Sequence, residues 1–474
     1  MTPSSGSGLA IAAPLLDLAA ISLFILGLHF LNSPATARFG NRLAMVGMAI
    51  ALAVVLTQTG GVAWWAILIG VLLGGSIGIV AAILVKMTAM PQMVALYNGA
   101  GGGAAALIAV VEYVVFLRSG GAGLDPIISV SMVVSMIIGS VSFAGSIIAF
   151  LKLQEVMSGR PLTYPGQQGV NAVIALAIVV LGAWFVVSAG TLPVWGFFVL
   201  LAAALALGVM FVLPIGGADM PVVISLLNSF TGLAVAIAGF ELDNELLIIC
   251  GSLVGASGTI LTVDMSKAMN RSLANVLFSA FGSAGGGEPA AAASGGPQNV
   301  RAVSADDVAV MLAYASKVGF VPGYGMAVAQ AQHSVKALAD QLEKRGVKVF
   351  YAIHPVAGRM PGHMNVLLAE ANVPYEQLLD LDEANAEFPT TDVALVIGAN
   401  DVTNPAARNV PSSPIYGMPI LDVDKAANVI VLKRSMRSGF AGIDNPLYEM
   451  AQTAMLFGDA KASVDGLTAA VKAL

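Results

Sequence analysis

The sequence predicts a multi-span α-helical membrane bundle of about nine helices, followed by a C-terminal α/β domain with a doubly wound sheet, on three observations. Nine apolar runs approach or exceed the roughly 20 residues needed to cross a hydrocarbon core. Charge density changes near residue 280: of 50 charged residues, 17 fall in 1–280 and 33 in 281–474. Beyond residue 303 the hydrophobic period alternates between helix and strand.

The chain is 57% hydrophobic and 11% charged, with mean hydropathy +0.85, where a soluble domain carries about 25% charged residues. The nine runs are residues 9–31, 41–57, 62–85, 90–117, 125–151, 169–188, 193–213, 219–240 and 245–265. Met1–Gly8 has no Lys or Arg, so it lacks the basic region of a cleaved signal, and the first run is expected to be retained as a helix. Arg38, Arg42, Lys86, Lys152, Arg160, Lys267 and Arg271 follow odd-numbered runs and only Arg118 an even one. The positive-inside rule then places the N-terminus outside and the C-terminal domain in the cytoplasm. The expected organisation is a transmembrane domain at 1–280, a flexible Gly/Ala-rich linker at 281–300, and a soluble domain at 301–474. A formal charge of −6 excludes nucleic acid as a partner, since phosphate neutralisation needs a basic stripe. Cys250, the single cysteine, excludes disulfides and a cysteine-rich metal site, and no metal is expected.

Within the apolar runs, Gly70, Gly74, Gly75 and Gly78, then Gly99 and Gly101 to Gly103, then Gly251, Gly255 and Gly258 form small-residue stripes of the kind that pack helices closely. Ionisable groups in such runs are expensive and therefore functional candidates: Asp17, His29, Glu112, Asp219 and Asp264. Asp264 reads first as the i,i+3 partner of Lys267, and Asp17 and His29 as structural. Glu112 lies deeper and is read equally as a proton-path acid or a satisfied core acid. Asp219 opens the eighth run, where a carboxylate suits a helix N-terminus. Nine residues on, Asn228 is flanked by Ser225 and Ser229, and Asn98 is a second mid-span amide. Interhelical hydrogen bonding and proton conduction remain alternatives for both amides.

In the soluble part, Ser304 to Asp307 resembles a capping box opening a helix to about Ser316. Lys317–Pro322 reads as a strand, Met326–Lys344 as a helix ended by Gly346. Val347–Ile353, Val393–Ile397, Val429–Leu432 and Ala454–Phe457 read as buried parallel strands, with helices at Met364–Ala371, Tyr375–Glu387 and Lys461–Leu474. The turn Gly323-Tyr324-Gly325-Met326-Ala327-Val328 matches the first two glycines of a dinucleotide fingerprint, in the strand-to-helix context that its mechanism requires; Val328 replaces the third. The domain is thus expected to be Rossmann-like. Three further loops follow strands, where such sheets bind ligands: His354 to Asn365, with Arg359 as a phosphate candidate; Gly398 to Pro405; and Lys433-Arg434-Ser435-Met436. The last suits a 2′-phosphate, hence NADP(H), with a solvated basic turn as the alternative.

Long strings in both domains resemble the β subunit of proton-translocating transhydrogenase: Gly217 to Ser229, Lys267 to Ser272, Pro322 to Gln330, His354 to Asn365, Gly398 to Pro405 and Gly458 to Asp465. The resemblance covers nearly the whole chain. It implies a subunit of a bacterial inner-membrane enzyme that moves hydride between NADH, bound on a partner α subunit, and NADP+ bound here, coupled to proton translocation. A dimer of the assembled unit, embedded in lipid, is also implied. Carried over by residue, Gly323, Tyr324, Gly325, Ala327 and Val328 would line the dinucleotide. His354, Pro355, Val356, Ala357, Gly358 and Arg359 would form a phosphate-contacting loop. Gly398, Ala399, Asn400 and Asp401 would contact the cofactor, with Asp401 near the nicotinamide as a candidate coupling residue. Lys433, Arg434 and Ser435 would hold the 2′-phosphate, and Gly458 and Asp459 would complete the site. Asp219, Asn228 and Ser140 fall on positions that the family associates with proton passage; with Asn98 and Glu112, read from their places in the spans, they make up the expected proton path. Two departures stand out: Asn98 takes the place of a membrane His found in some members, which leaves the protonating group to a partner, and Phe440 replaces a Tyr. No covalent catalytic residue is expected, because hydride transfer needs only positioned nicotinamides. A cation channel or secondary transporter with a nucleotide-sensing domain is the rival class, and fold analogy alone does not separate the two.

Overall fold

The computed structural model describes residues 7–58, 64–86, 89–120, 123–158, 161–164, 166–188, 194–216, 219–269, 273, 300–360, 362–413, 415–436 and 443–474. All but the last residue of the expected linker, together with Arg160, Arg271 and Phe440, lies outside these. Among the described residues, nine helices are long and apolar enough to cross a membrane: α1 (Ser7–Leu31), α2 (Pro34–Gln58), α3 (Trp64–Leu84), α4 (Met90–Arg118), α5 (Pro126–Leu153), α6 (Gln167–Val187), α7 (Val194–Val212), α8 (Met220–Glu241) and α9 (Glu245–Ala268). The second helix begins seven residues before the expected run, because Arg38 and Arg42 interrupt apolarity without interrupting a helix.

The chain forms two compact units, one of residues 1–151, 166–212 and 226–259, the other of 152–165, 213–225 and 260–474. In the first, glycines bring helices to backbone contact. A Cβ on Gly139 of α5 would sit 2.6 Å from the Gly102 carbonyl of α4, and one on Gly251 of α9 would sit 2.4 Å from the Ala236 nitrogen of α8. The glycines of α4 and α9 therefore pack as expected. Those of α3 do not: a Cβ added at Gly70, Gly74, Gly75 or Gly78 would meet no other element within 4 Å among the described residues, and α3 has no buried residue. Tyr113, Phe185 and Phe197 join α4, α6 and α7, with 4.2 Å between the Tyr113 and Phe197 ring centroids. Asp264 and Lys267 on α9 are both exposed, and the expected i,i+3 pair does not form among the described residues.

The second unit holds a six-stranded parallel sheet in the order β3-β2-β1-β4-β5-β6, with β1 Lys317–Pro322, β2 Lys348–Ala352, β3 Leu378–Leu379, β4 Val393–Ile397, β5 Asn428–Lys433 and β6 Thr453–Phe457. This is the doubly wound, Rossmann-like order, with its switch point between β1 and β4. Alternate strand residues enter opposite faces. Phe320, Leu395 and Ile430 join one core with α12 (Gln332–Lys344) and α16 (Ala460–Ala473). Val321, Val396 and Val431 join the other with Phe388 and Tyr448. The capping box forms: Ser304 caps α10 (Ala305–Ala313) and Asp307 closes it.

Two expectations change. The helix expected over Met326–Lys344 is broken into α11 (Tyr324–Val328) and α12, because Gln330 takes φ +51°. The helix expected over Tyr375–Glu387 is a 3-10 turn, the short edge strand β3, and α14 (Leu381–Glu387), which follows α13 (His363–Glu370) and precedes the short α15 (Ala406–Asn409). Pairing of Leu378 and Leu379 with Tyr351 and Ala352 overrides the local helical period.

Candidate functional site

Strands β1 and β4 end side by side, and their following loops interlock through glycine. The Gly323 amide donates to Ile397 O (2.9 Å) and the Gly325 amide to Gly398 O (3.0 Å). A Cβ on Gly323 would lie 2.4 Å from the Ala399 backbone, and one on Gly398, whose φ is +67°, would lie 2.3 Å from Gly325 Cα. The two fingerprint glycines thus let one loop's backbone lie directly on the other's.

Beside this contact opens a cleft of about 540 Å³, at the carboxyl ends of β1, β4, β5 and β6. Its walls include Gly325, Val328, Gly398, Ala399, Asn400, Lys433, Arg434, Ser435, Gly458 and Asp459, all expected, together with Ala329, Leu432 and Ala460, which were not. These three are small or apolar neighbours of expected residues, and carry no chemical signal of their own. Lys433 ends β5 with its Nζ 4.7 Å from the centroid of the Tyr448 ring. Burial holds its ammonium below the usual lysine range, against the pull of Asp401 and Asp444. Burial likewise raises the Tyr448 phenol, whose hydroxyl donates to Asn400 Oδ1; Asn445 Nδ2 donates to Asn400 O at 3.0 Å. Arg434 and Ser435 are exposed at the rim. The Asp459 carboxylate accepts from the Lys461 and Ala462 amides and so caps α16.

Gly323, Tyr324, Ala327, Asp401 and the whole of His354–Arg359 do not line the cleft. Ala327 is core. Arg359 packs over the Tyr324 ring, 4.7 Å from its centroid, and donates to Glu155 Oε1 (2.7 Å) and Leu153 O (3.0 Å), partners of the same unit.

Two histidines frame the Arg359 loop. His354 Nε2 donates to Pro419 O (2.8 Å) while its Nδ1 accepts from the Val356 amide (3.3 Å). His363 Nδ1 accepts from the Arg359 amide (3.0 Å). Both rings are therefore neutral, and burial pushes both down to about 4 from 6.5, with Arg359 adding to the effect at His363. The unfolded chain takes these protons first. The contribution is full above pH 6.5 and is lost as pH falls through about 4, on the order of 3 kcal/mol per ring. Hydrogen exchange over residues 353–365, corrected for its intrinsic pH dependence, should show protection falling about 20-fold per histidine between pH 7 and pH 5. Constant protection would contradict the neutral tautomers.

In the first unit, Asn98 Nδ2 donates to Ser146 Oγ (2.9 Å) and lies 3.4 Å from Ser142 Oγ. Ser142 Oγ is 2.6 Å from Thr231 Oγ1 and 2.8 Å from Leu227 O. A polar network thus joins α4, α5 and α8. Expected Ser140 is fully buried, and its hydroxyl has no partner among the described residues; Ser142, Ser146 and Thr231 are the residues that sequence reasoning missed. Asn228 and Glu112 are half-buried. In the second unit, Asp219 is 8% exposed just before α8.

The sequence profile of the NAD(P) transhydrogenase beta subunit family matches residues 13–470. Two relatives named NAD(P) transhydrogenase subunit beta, one from Rhodospirillum rubrum and one from a designated strain of it, are each 53% identical over 452 residues, 95% of this chain and 97% of theirs. With nine membrane-crossing helices among its described residues and a match running through them all, the chain is a multi-pass membrane protein and belongs to the NAD(P) transhydrogenase beta subunit family.

Proposed function

We propose that this chain binds NADP(H) in the cleft at the β1–β4 switch point and works as one part of a proton-translocating transhydrogenase in a bacterial inner membrane. NADH is held by a partner α subunit, hydride passes from it to NADP+, and proton movement through the helices drives the transfer. The observation that carries this reading is the cleft. Its volume, about 540 Å³, falls within the range of about 300–1,000 Å³ typical of small-molecule sites. Its floor is glycine backbone, and its edge carries Lys433, Arg434 and Ser435, two cations and a hydroxyl that suit a 2′-phosphate.

The bound nicotinamide supplies the hydride chemistry, so the protein's task is positioning. Gly325, Gly398 and Ala399 admit the dinucleotide backbone, and a phosphate beside Lys433 would offset the desolvation of its ammonium. The coulombic effect of Asp401 on Lys433 supports a role for Asp401 in linking nucleotide state to charge. Arg359 would reach phosphate only on leaving Glu155. In the membrane, Asp219, Asn228, Asn98, Ser140 and Glu112 remain the proposed path, with the Ser142, Ser146 and Thr231 network beside Asn98. The excess of basic residues after odd-numbered spans supports an external N-terminus and a cytoplasmic nucleotide domain from about residue 301. The assembled α/β unit is proposed to be a dimer in lipid. Coupling requires two states of the nucleotide domain, one closed and one exchanging.

The test is hydride transfer from NADH to a thio-analogue of NADP+ by membranes carrying this chain with its partner. Absence of transfer by intact, assembled protein would refute the reading. For the site, Lys433→Ala with Arg434→Ala should weaken NADPH binding by about 100-fold, the loss of two charge-assisted hydrogen bonds, while leaving NADH binding nearly unchanged. Equal weakening for both nucleotides would remove the 2′-phosphate assignment.

A further inference from the structure

Helix α5 makes polar contacts with α4 and α8 at three levels. Two are the contacts of Ser146 with Asn98 and of Ser142 with Thr231. The third is Ser135, seven residues before Ser142 and so two turns away on the same face of α5. Its hydroxyl donates to Oε1 of Glu241, the last residue of α8. Moving back along α5 from Ser142 to Ser135 moves forward along α8 from Thr231 to Glu241, so one antiparallel α5–α8 seam holds these two levels, while Ser146 meets Asn98 of α4.

Glu241 is 8% exposed. Its second oxygen, Oε2, is buried with no donor, cationic or neutral, among the described residues. Glu112 of α4 acts on it through space and adds charge of the same sign. One neutral hydroxyl does not compensate a carboxylate taken out of water, a cost of several kcal/mol. A proton on Oε2 would remove both that cost and the repulsion from Glu112. Glu241 closes α8, whose 22 residues span about 33 Å.

We propose that Glu241 is a proton-binding carboxyl of the transport path, at the C-terminal end of α8, with Ser135 as the positioning hydroxyl that holds Oε1. This rests on the transhydrogenase reading above. The Oε2–H bond forms when a proton enters from water at that end and breaks when it passes on toward the Ser142 level. Ser135 keeps its own proton, and no electron moves.

The assembled α/β complex, reconstituted in vesicles enclosing a pH-sensitive dye, provides the test, together with infrared spectroscopy of the carboxyl C=O region. Glu241→Gln should lose a band of a protonated carboxyl present in the wild type, and should slow proton transport during hydride transfer by about 100-fold, as for removal of a proton-transfer group. Ser135→Ala should shift that band without removing it. An unchanged carboxyl band, or wild-type transport, in Glu241→Gln overturns the proposal. Should Glu241→Gln fail to assemble, Glu241→Asp takes its place: a shifted band with slowed transport supports the assignment, and wild-type values of both overturn it. The infrared signal needs no turnover. Loss of the band in Glu241→Gln, from a wild type that transfers no hydride, would leave the carboxyl assigned and sink the transhydrogenase reading instead.

Discussion

Gly398→Ala is expected to weaken NADP(H) binding by about 100-fold and to destabilise the nucleotide domain by about 2–4 kcal/mol, the sum of a left-handed backbone penalty and overpacking. The residue sits at φ +67°, and its new methyl would meet backbone rather than a yielding side chain, 2.3 Å from Gly325 Cα. Relief requires the β1 and β4 loops to part, and that contact forms the floor of the proposed site. Gly346→Ala is the control. It also has positive φ, +85°, but opens into free space, so it should cost only about 1 kcal/mol and leave binding intact. NADPH titration and thermal unfolding of both variants check the pair; equal behaviour would mean that the interlocked loops do not shape the site.

Gly251→Val should be the most damaging single change in the membrane part. Its Cβ would lie 2.4 Å from the Ala236 nitrogen and 2.7 Å from the Gly232 carbonyl, backbone atoms of α8. The methyls would push α9 off α8, at a cost of about 3 kcal/mol or more. Because α8 carries Thr231 and Glu241 to α5, the same displacement should slow proton transport while nucleotide binding survives. Gly74→Val on α3, whose new Cβ would meet no other element within 4 Å among the described residues, should leave the purified chain's melting temperature unchanged. Detergent melting curves and vesicle assays separate these outcomes. A stable, coupled Gly251→Val enzyme would mean that the α8–α9 contact is looser than described.

How much was legible in the residues depended on how local each signal is. Strands β1 and β4 were readable to the residue because burial on both faces makes an apolar run between polar boundaries. Strand β3 was not: Leu378 and Leu379 lie in a helical period, and only pairing to β2 makes them a strand. The break at Gln330 has no Gly or Pro to announce it. The cleft was legible loop by loop, since strand ends in a doubly wound sheet converge. Arg359 was read as a phosphate contact, but Glu155, about 200 residues away, holds it. Among the serines of α5, composition does not say which face meets Asn98. Helix rotation in the packed bundle chooses Ser142 and Ser146 over Ser140.

The sequence by itself determined the spans, the doubly wound class and the family, because hydropathy, periodicity and long matched strings are properties of neighbours along the chain. Only the tertiary structure decided which glycines touch, which serines face the Asn98 network, and that Glu241 is buried with an open oxygen. Those depend on the approach of segments distant in sequence, where a backbone contact of 2.3–2.6 Å to an imagined methyl separates a required glycine from an idle one.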